Sequence, residues 1–243
     1  MQVAVKDDFQ QAFVDECAVE YPVVDEIEKK LGYRLDPVKL LPAAEILACP
    51  VKVNPPNWQH GRILYAVARD YLKRVEDEAV PVTILDIGTA KGFSALCLQW
   101  ALEDSGVEGR VHSVDVVGPL ERRWRNTVLE VGQAQPMTLN EILKPWPEVS
   151  KIKFYGMTSL RWLFGAPGRI NLAFVDGKHR ADVVAQEAKL LSSRQVLGDV
   201  IVFDDVHIQS ILAAIYLTLS ARYDMEVVSV LSQRAYAICR KVR

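Results

Sequence analysis

The pattern of apolar and polar positions is clearest between Val82 and Trp100. The run 82–87 is short, apolar and rich in β-forming residues, which is typical of a strand buried on both faces in a parallel sheet. The turn that follows contains three small residues: Gly88, Ala90 and Gly92. A helical apolar pattern begins at Phe93. This order predicts backbone N–H groups at the carboxyl edge of a sheet, a place that suits an anionic or polar ligand.

The same kind of pattern repeats along the chain. Strands are predicted at 82–87, 110–115, 152–155, 170–175, 200–203, 226–231 and 235–239. Helices are predicted over 64–75 (capped by Asn57), 93–101, 121–131, 183–191 and 208–219, with a short one after a capping box at Thr138. The last two strands are joined by Ser232-Gln233-Arg234, a hairpin-length link. The chain is therefore predicted to be an α/β protein with a doubly wound, mainly parallel sheet and a C-terminal antiparallel hairpin.

Two stretches fall outside this pattern. Residues 1–58 are predicted to form a helical and loop extension before a domain at 59–243. In it, the region 8–31 is mixed and helical, with Pro22 breaking or starting a segment. The region 36–56 has five prolines and is predicted to be an ordered loop that could lie over an active site. The segment 117–150 is longer than one crossover helix needs, so it is either a packing insertion or a substrate lid.

Composition narrows the class of protein without naming it. The chain has 243 residues, of which half are apolar and a quarter charged, and its formal net charge is −2. Because a surface that binds nucleic acid carries clustered Lys and Arg, we expect no nucleic-acid partner. There is no signal-peptide pattern, no run of membrane-spanning length and no C-x-x-C pair among four cysteines. We therefore expect a cytoplasmic protein with reduced thiols and no membrane contact.

The glycine turn has a specific spacing. Its small residues follow the pattern Asp86-x-Gly88-x-Ala90-x-Gly92, whereas a dinucleotide fingerprint requires G-x-G-x-x-G. The pattern resembles motif I of the class I S-adenosylmethionine-dependent methyltransferases, and the predicted order of strands extends the resemblance from Gln59 to Val242. A glycine-rich turn of another α/β protein is the alternative. Asp115 ends the second strand, where a Rossmann-like fold places the carboxylate that binds ribose hydroxyls; capping of the next turn is its alternative role.

Acidic residues follow two strands that should be neighbours in such a sheet. Asp176 ends one, and Asp204 with Asp205 ends the other. Three converging carboxylates need protons, basic partners or a cation, and magnesium is the simplest answer because hard cations prefer oxygen ligands. The alternative is that these residues cap a helix or bind a turn.

The sequence segments FVDGKH and GDVIVFDDVH resemble those of a particular branch of this class, the metal-dependent small-molecule O-methyltransferases. This branch includes relatives of catechol O-methyltransferase and the sugar O-methyltransferases of macrolide and aminocoumarin biosynthesis. The resemblance implies a Rossmann-like fold, S-adenosylmethionine as cofactor, a small hydroxylated substrate and a possible homodimer. It implies that the metal ligands are Asp176, Asp204 and Asp205. The implied cofactor-binding residues are Asp86, Gly88, Thr89, Ala90, Lys91, Gly92, Phe93, Ser94, Asp115, Met157, Thr158, Ser159 and Asp176.

The residue that accepts the proton is less clear from the resemblance. Catechol-type enzymes have a lysine three places after the first metal-binding Asp, where this chain has His179, and Lys178 comes one residue earlier. The sugar-modifying enzymes have an acid at the position of Lys178. We therefore predict His179 as the base, since a neutral imidazole can accept a proton near neutral pH, with Lys178 as a second candidate and His207 in reserve.

Other functions remain open at this stage. A nucleotide-binding oxidoreductase is disfavoured by the spacing of the turn, and an inactive methyltransferase-like binding protein is disfavoured by the intact glycines and acids. A nitrogen or carbon acceptor stays open, because the metal is inferred only.

Overall fold

A single sheet organises the described part of the chain. The computed structural model describes residues 5–51, 58–78, 80–165, 168–231 and 234–243. The strands are β1 (Val82–Ile87), β2 (Gly109–Asp115), β3 (Lys153–Gly156), β4 (Leu172–Val175), β5 (Val200–Phe203), β6 (Tyr223–Leu231) and β7 (Arg234–Lys241). Their order is β3-β2-β1-β4-β5-β7-β6, with β1 to β5 parallel and β7 antiparallel to both β5 and β6. The predicted mainly parallel sheet with a terminal antiparallel hairpin is confirmed.

The central strands are apolar because both of their faces are covered. β4 and β5 are buried at every position, and in β1 only Thr83 is partly exposed. Ile84 packs into the core on one face of the sheet, and Leu85 packs into the core on the other. The register pairs Ile87 with Val175 and Val175 with Phe203, so these three strands end level with one another. The loops after β1, β4 and β5 therefore meet at one edge, at the point where the strand order reverses.

Helices cover both faces. They are α1 (Lys6–Cys17), α2 (Pro22–Leu31), α3 (Pro37–Ala43), α4 (Gln59–Arg74), α5 (Phe93–Ser105), α6 (Leu139–Ile142), α7 (Ser159–Gly165), α8 (Ala181–Arg194) and α9 (Gln209–Leu219). α4 and α5 pack together over one face, and α8 and α9 pack together over the other. The four cysteines are free thiols, and only Cys17 is exposed. Among the described residues, no helix combines the length and apolarity needed to cross a bilayer.

The N-terminal extension is more regular than predicted. The helical region is confirmed as α1 and α2, and Pro22 begins α2. The predicted loop is wrong over residues 37–48, which form α3 and a π-helical turn, Ala44–Ala48. Pro37 occupies the first helical position, where no N–H is needed, and the Asp36 side chain caps the helix by accepting from Val38 N–H. The predicted cap Asn57 lies outside the described residues, as do Ser232 and Gln233 of the predicted hairpin link.

The segment after β2 also differs from the prediction. The predicted helix over 121–131 is wrong: only a 3₁₀ turn, Val128–Glu130, is present there. The Glu130 carboxylate accepts backbone N–H groups of Arg125 and Thr127, which replaces helical hydrogen bonding. Asn126 has a φ of +56°, which a right-handed helix excludes. The capping box at Thr138 is confirmed at the start of α6, and Leu139, Ile142, Leu143 and Trp146 pack into the core. These four side chains favour a packing insertion, and the alternative of a substrate lid for 117–150 stays a prediction.

Candidate active site

The glycine turn after β1 is the first part of the site. Gly88 has a φ of +99° and Gly92 a φ of +86°, a region that side-chain-bearing residues rarely adopt. A Cβ atom on Gly88 would lie 2.0 Å from the carbonyl oxygen of Asp176, so only glycine fits there. The turn therefore packs directly on the first acidic loop, after β4.

A cavity of about 170 Å³ opens at this turn. Its floor is formed by six residues of the turn and of the start of α5: Gly88, Thr89, Ala90, Lys91, Phe93 and Ser94. Asp176, Asp204, His60 and Arg234 line its sides. Leu47, Ala48 and Pro50 of the N-terminal extension also line the cavity, and we call these three residues its roof. That the extension lies over an active site stays a prediction. Six of the thirteen predicted cofactor-binding residues belong to the floor, and Asp176 belongs to the wall.

Asp86 lies beneath the turn and is fully buried. Its Oδ2 atom accepts a hydrogen bond from Ser113 Oγ at 2.5 Å, and Ser113 Oγ lies 2.6 Å from Thr89 Oγ1. Its Oδ1 atom is buried with no hydrogen-bond partner among the described residues. Burial raises the pKa of Asp86 to about 6, although hydrogen bonds from serine hydroxyls oppose the rise. An unpaired acceptor under a bare turn fits a polar cofactor with hydrogen-bond donors.

Asp115 joins the end of β2 to the glycine turn. Its Oδ2 atom accepts Ala90 N–H at 3.0 Å, and its Oδ1 atom accepts Val117 N–H at 2.9 Å. The alternative role of capping the next turn is therefore present in the structure. Each carboxylate oxygen keeps a second lone pair, and the ribose-binding role stays a prediction.

The predicted adenine-binding residues sit beside Asp115 but do not line the cavity. Met157 N–H donates to the carbonyl of Asp115 at 2.8 Å, which holds 157–159 at the same sheet edge. Thr158 Oγ1 accepts Arg161 N–H at 3.3 Å. Ser159 Oγ donates to the buried Glu187. Their contact with adenine stays a prediction.

Three carboxylates meet at the ends of β4 and β5, and we call Asp176, Asp204 and Asp205 the acid cluster. Burial, together with the charges of Asp204 and Asp205, raises the pKa of Asp176 well above its usual value. Burial and the charge of Asp205 raise the pKa of Asp204 to about 6. Both raised pKa values are what burial and neighbouring like charges produce in converging carboxylates.

Helix capping does not explain the acid cluster. The residue before α9 is Ile208, and no side chain caps this helix; Asp205 contributes only its backbone carbonyl, which accepts Ile208 N–H at 2.9 Å. Within the described residues, the Asp176 carboxylate receives no hydrogen bond. The alternative of helix capping is therefore wrong for Asp204 and Asp205.

His179 is brought to the acid cluster, whereas Lys178 is not. Nδ1 of His179 is hydrogen-bonded to Oδ2 of Asp205, and this bond raises the pKa of the imidazole. Burial would raise the pKa of Asp205, but the hydrogen bond and charge of His179 outweigh it, so this pKa is lowered. Nδ1 of His207 and a guanidinium nitrogen of Arg234 each lie 3.9 Å from Oδ1 of Asp205. Lys178 is exposed, and its catalytic role stays a prediction.

Sequence reasoning missed two residues of the cavity wall. His60 was given an ordinary role at a helix start, yet its ring lies 5.0 Å from Phe93 and 6.0 Å from Phe174 between ring centroids and faces the cavity. Arg234 was assigned only to a hairpin link, yet it begins β7 and opposes the charges of the acid cluster. No local motif marks either residue, since both reach the site from distant parts of the chain.

Comparison with known proteins agrees with this geometry. Residues 85–206, half of the chain, match the family model described as a methyltransferase domain. No curated protein matches the sequence. The fold is similar to that of the O-methyltransferase TomG from Streptomyces achromogenes, solved with S-adenosylmethionine (14% identity, TM-score 0.54, 93% of this chain and 92% of that one).

Two further structures are similar in fold. One is an O-methyltransferase from Bacillus cereus, solved with S-adenosylhomocysteine (15% identity, TM-score 0.53, 95% of this chain and 96% of that one). The other is an rRNA methylase from Streptococcus thermophilus (11% identity, TM-score 0.51, 73% of this chain and 96% of that one). At these identities the likeness concerns the fold alone. The family match, the sheet order and the glycine turn together identify the chain as a member of the methyltransferase domain family, a class I S-adenosylmethionine-dependent methyltransferase.

Proposed function

We propose that the protein transfers the methyl group of S-adenosylmethionine to a hydroxyl group of a small molecule, with a divalent metal ion at the acid cluster. The observation that carries this proposal is the packing of Gly88 on the carbonyl of Asp176. The loop that carries Asp176 therefore lies directly beside the glycine turn, which supports a cation and a cofactor at neighbouring positions. The O-methyltransferases of similar fold support the proposal by analogy.

The donor set fits a cation. Carboxylate oxygens from two adjacent strand ends converge with an imidazole beside them, and burial together with the charge of neighbouring carboxylates raises the pKa of Asp176 and of Asp204. When bound, such an ion supplies Lewis acidity that favours the ionised form of an acceptor hydroxyl. Asp176, Asp204 and Asp205 were predicted to hold it.

The residues of the chain perform the remaining tasks. The glycine turn and Asp86 position the methionine part of the cofactor at the cavity floor. The acceptor oxygen attacks the methyl carbon in line with the carbon–sulfur bond; the carbon–oxygen bond forms, the carbon–sulfur bond breaks, and S-adenosylhomocysteine leaves. Leu47, Ala48 and Pro50 exclude water from above. The hydroxyl proton needs a base at this edge, for which the sequence predicted His179 or Lys178.

The experiment that tests the proposal combines binding with turnover. S-adenosylhomocysteine is titrated by calorimetry, and methyl transfer to a panel of catechols, phenols and sugars is followed by mass spectrometry, with and without a chelator. We expect wild type to bind and to methylate at least one hydroxyl compound in a chelator-sensitive way. Asp205→Asn should still bind S-adenosylhomocysteine but lose methyl transfer. The exposed control Asp224→Asn should retain both binding and methyl transfer.

Two outcomes would contradict the proposal. Transfer only to amines or to ribosomal RNA would show that the acceptor is not a small hydroxylated molecule. Full transfer by Asp205→Asn in the presence of chelator would show that the reaction needs no metal ion.

A further inference from the structure

The atoms able to bind one cation at this site come from an unexpected set of residues. Within the described part of the chain, ligand-forming atoms of Asp176, His179 and Asp205 all lie within 4.8 Å of one another, and Asp204 is not in this group. We propose that His179 replaces Asp204 as the third metal ligand, so that the site selects a transition-metal ion rather than magnesium. This inference rests on the proposed function for the presence of a divalent ion, and it changes the role predicted for His179 from base to ligand.

The local backbone explains why Asp204 is left out. Its Oδ1 atom accepts the backbone N–H of Asp205 at 2.6 Å, so one of its oxygens is already used within the turn. The rest of Asp204 lines the cavity. Asp205 has a φ of +57°, and its carboxylate is hydrogen-bonded to the imidazole of His179. Two consecutive aspartates thus have different partners.

Imidazole nitrogens surround the Asp205 carboxylate. Nδ1 of His179 contacts Oδ2, and Nδ1 of His207 lies 3.9 Å from Oδ1. This His207 nitrogen is buried and has no hydrogen-bond partner among the described residues. A buried nitrogen left unpaired beside a carboxylate is uncommon unless something else binds there. His207 is not in the group of converging atoms, so we take it as a neighbour of the proposed ion and not as one of its ligands.

The types of ligand atom at the site determine which metal ion it binds most tightly. Magnesium prefers oxygen ligands and water, whereas imidazole nitrogen is a good ligand for zinc, cobalt, iron and nickel. Two carboxylates and one imidazole form a mixed oxygen and nitrogen set that a transition metal binds well and magnesium binds poorly. We therefore expect the purified protein to bind cobalt(II) much more tightly than magnesium.

Affinity alone does not test the ligand set, because most sites bind cobalt more tightly than magnesium. The test is a direct signal from nitrogen. Manganese(II) is added to the full-length protein without cofactor, and pulsed EPR is used to look for nuclear modulation from a coordinated ¹⁴N. We expect this modulation in wild type, its loss in His179→Gln, and its retention in Asp204→Asn. Cobalt(II) titration should show at least roughly 10- to 100-fold weaker binding for His179→Gln, because that is the usual loss when only a residue that supports a ligand is removed.

Two histidine controls make the test specific. His112→Gln removes an imidazole that is hydrogen-bonded to Tyr155, outside the group, and His207→Gln removes the neighbouring imidazole; both should keep the nitrogen signal. Circular dichroism checks that His179→Gln folds, which we expect because the His179 side chain is 56% exposed. Absence of nitrogen modulation in wild type, or its loss only in His207→Gln, would overturn the inference. Loss of cobalt binding in Asp204→Asn but not in His179→Gln would show that Asp204, and not His179, is the third metal ligand.

The outcomes also separate this inference from the proposed function. A nitrogen-coordinated ion in a protein that methylates no hydroxyl compound would support the ligand set and refute the function. Chelator-insensitive methylation by a protein that binds no ion would refute the ligand set and leave methyl transfer to hydroxyl groups intact.

Discussion

The backbone of Gly88 packs against the carbonyl oxygen of Asp176, with no room for a Cβ atom between them. Gly88 belongs to the turn after β1, and Asp176 follows the adjacent strand β4. The contact joins the predicted cofactor turn to the acid cluster, so the two halves of the site depend on each other.

Substitution of Gly88 by alanine should disrupt both halves. The added Cβ would lie 2.0 Å from a backbone oxygen, and the φ of +99° is strained for alanine. We expect Gly88→Ala to lower the free energy of unfolding by more than about 3 kcal/mol and to abolish binding of S-adenosylhomocysteine. Urea denaturation and calorimetry measure the two effects. The matched control is Gly106→Ala, which has a φ of +71° but open space around it and should lose only about 1–2 kcal/mol. Equal effects of the two substitutions would contradict the steric argument.

The roof of the cavity should control entry of the cofactor. Pockets for ligands of this size usually have about 300–1,000 Å³. The cavity has about 170 Å³, so we expect the roof to move when the cofactor binds. Thr127 Oγ1 donates to the Ile46 carbonyl at 2.6 Å, and Asn126 Nδ2 donates to the Val51 carbonyl at 2.9 Å. Thr127→Val removes the first bond, and we expect S-adenosylhomocysteine to associate and dissociate several-fold faster. Stopped-flow fluorescence measures both rates.

The control for the roof is a hydroxyl that bonds elsewhere. Ser150 Oγ donates to the Pro147 carbonyl at 2.7 Å, and Ser150→Ala should leave both rates unchanged. Unchanged rates in Thr127→Val would show that the roof opens without breaking this bond.

Asp86 should make stability depend on pH. Its folded-state pKa of about 6 lies above the ordinary value near 3.8, so the folded protein binds this proton more tightly than the unfolded chain. The resulting stabilisation is present at low pH and is lost as the pH rises from about 4 to about 6. At about 1.4 kcal/mol for each pH unit, the loss is roughly 3 kcal/mol.

Asp86→Asn tests the direction of this pH dependence of stability. The neutral amide should flatten the pH dependence of the free energy of unfolding between pH 4 and 6 relative to wild type, whereas the exposed control Asp77→Asn should follow wild type. Urea denaturation at several pH values gives both curves. If Asp86→Asn kept the slope of wild type, the assignment of the raised pKa to Asp86 would be wrong.

A buried ion pair attaches the extension to the rest of the molecule. Arg62 of α4 donates from Nε to Glu28 Oε1 of α2 at 2.9 Å, and both residues are buried. Among the described residues, Arg62→Met leaves the buried Glu28 carboxylate with only the exposed Arg34, whose Nε lies 3.6 Å from Glu28 Oε2, so we expect a loss of about 3 kcal/mol in urea denaturation. The exposed pair of Arg180 and Asp182 provides the control, and Arg180→Ala should change stability little. Equal stability of Arg62→Met and wild type would mean that apolar packing and the exposed pairs Lys30–Glu226 and Lys39–Asp104 are enough to hold the extension.

The central sheet could be predicted from the sequence because its signals are local. β4 and β5 are buried on both faces and consist only of apolar residues, so composition and length identify them. The predicted helix at 121–131 was wrong because side-chain bonds from Glu130 and the positive φ of Asn126 override its apolar spacing. The region 36–56 of the extension was predicted to be a loop because its prolines were counted without their positions, although Pro37 begins a helix.

The sequence by itself determined the succession of strands and helices, the glycine turn and the acids that follow β4 and β5, since each depends on residues close together in the chain. The tertiary structure decided which side chains meet there. It placed His179 against Asp205, turned Asp204 towards a backbone N–H, and brought the distant residues His60 and Arg234 into the cavity wall. These contacts depend on the direction of individual side chains and on packing between elements far apart in sequence, and no local pattern encodes either.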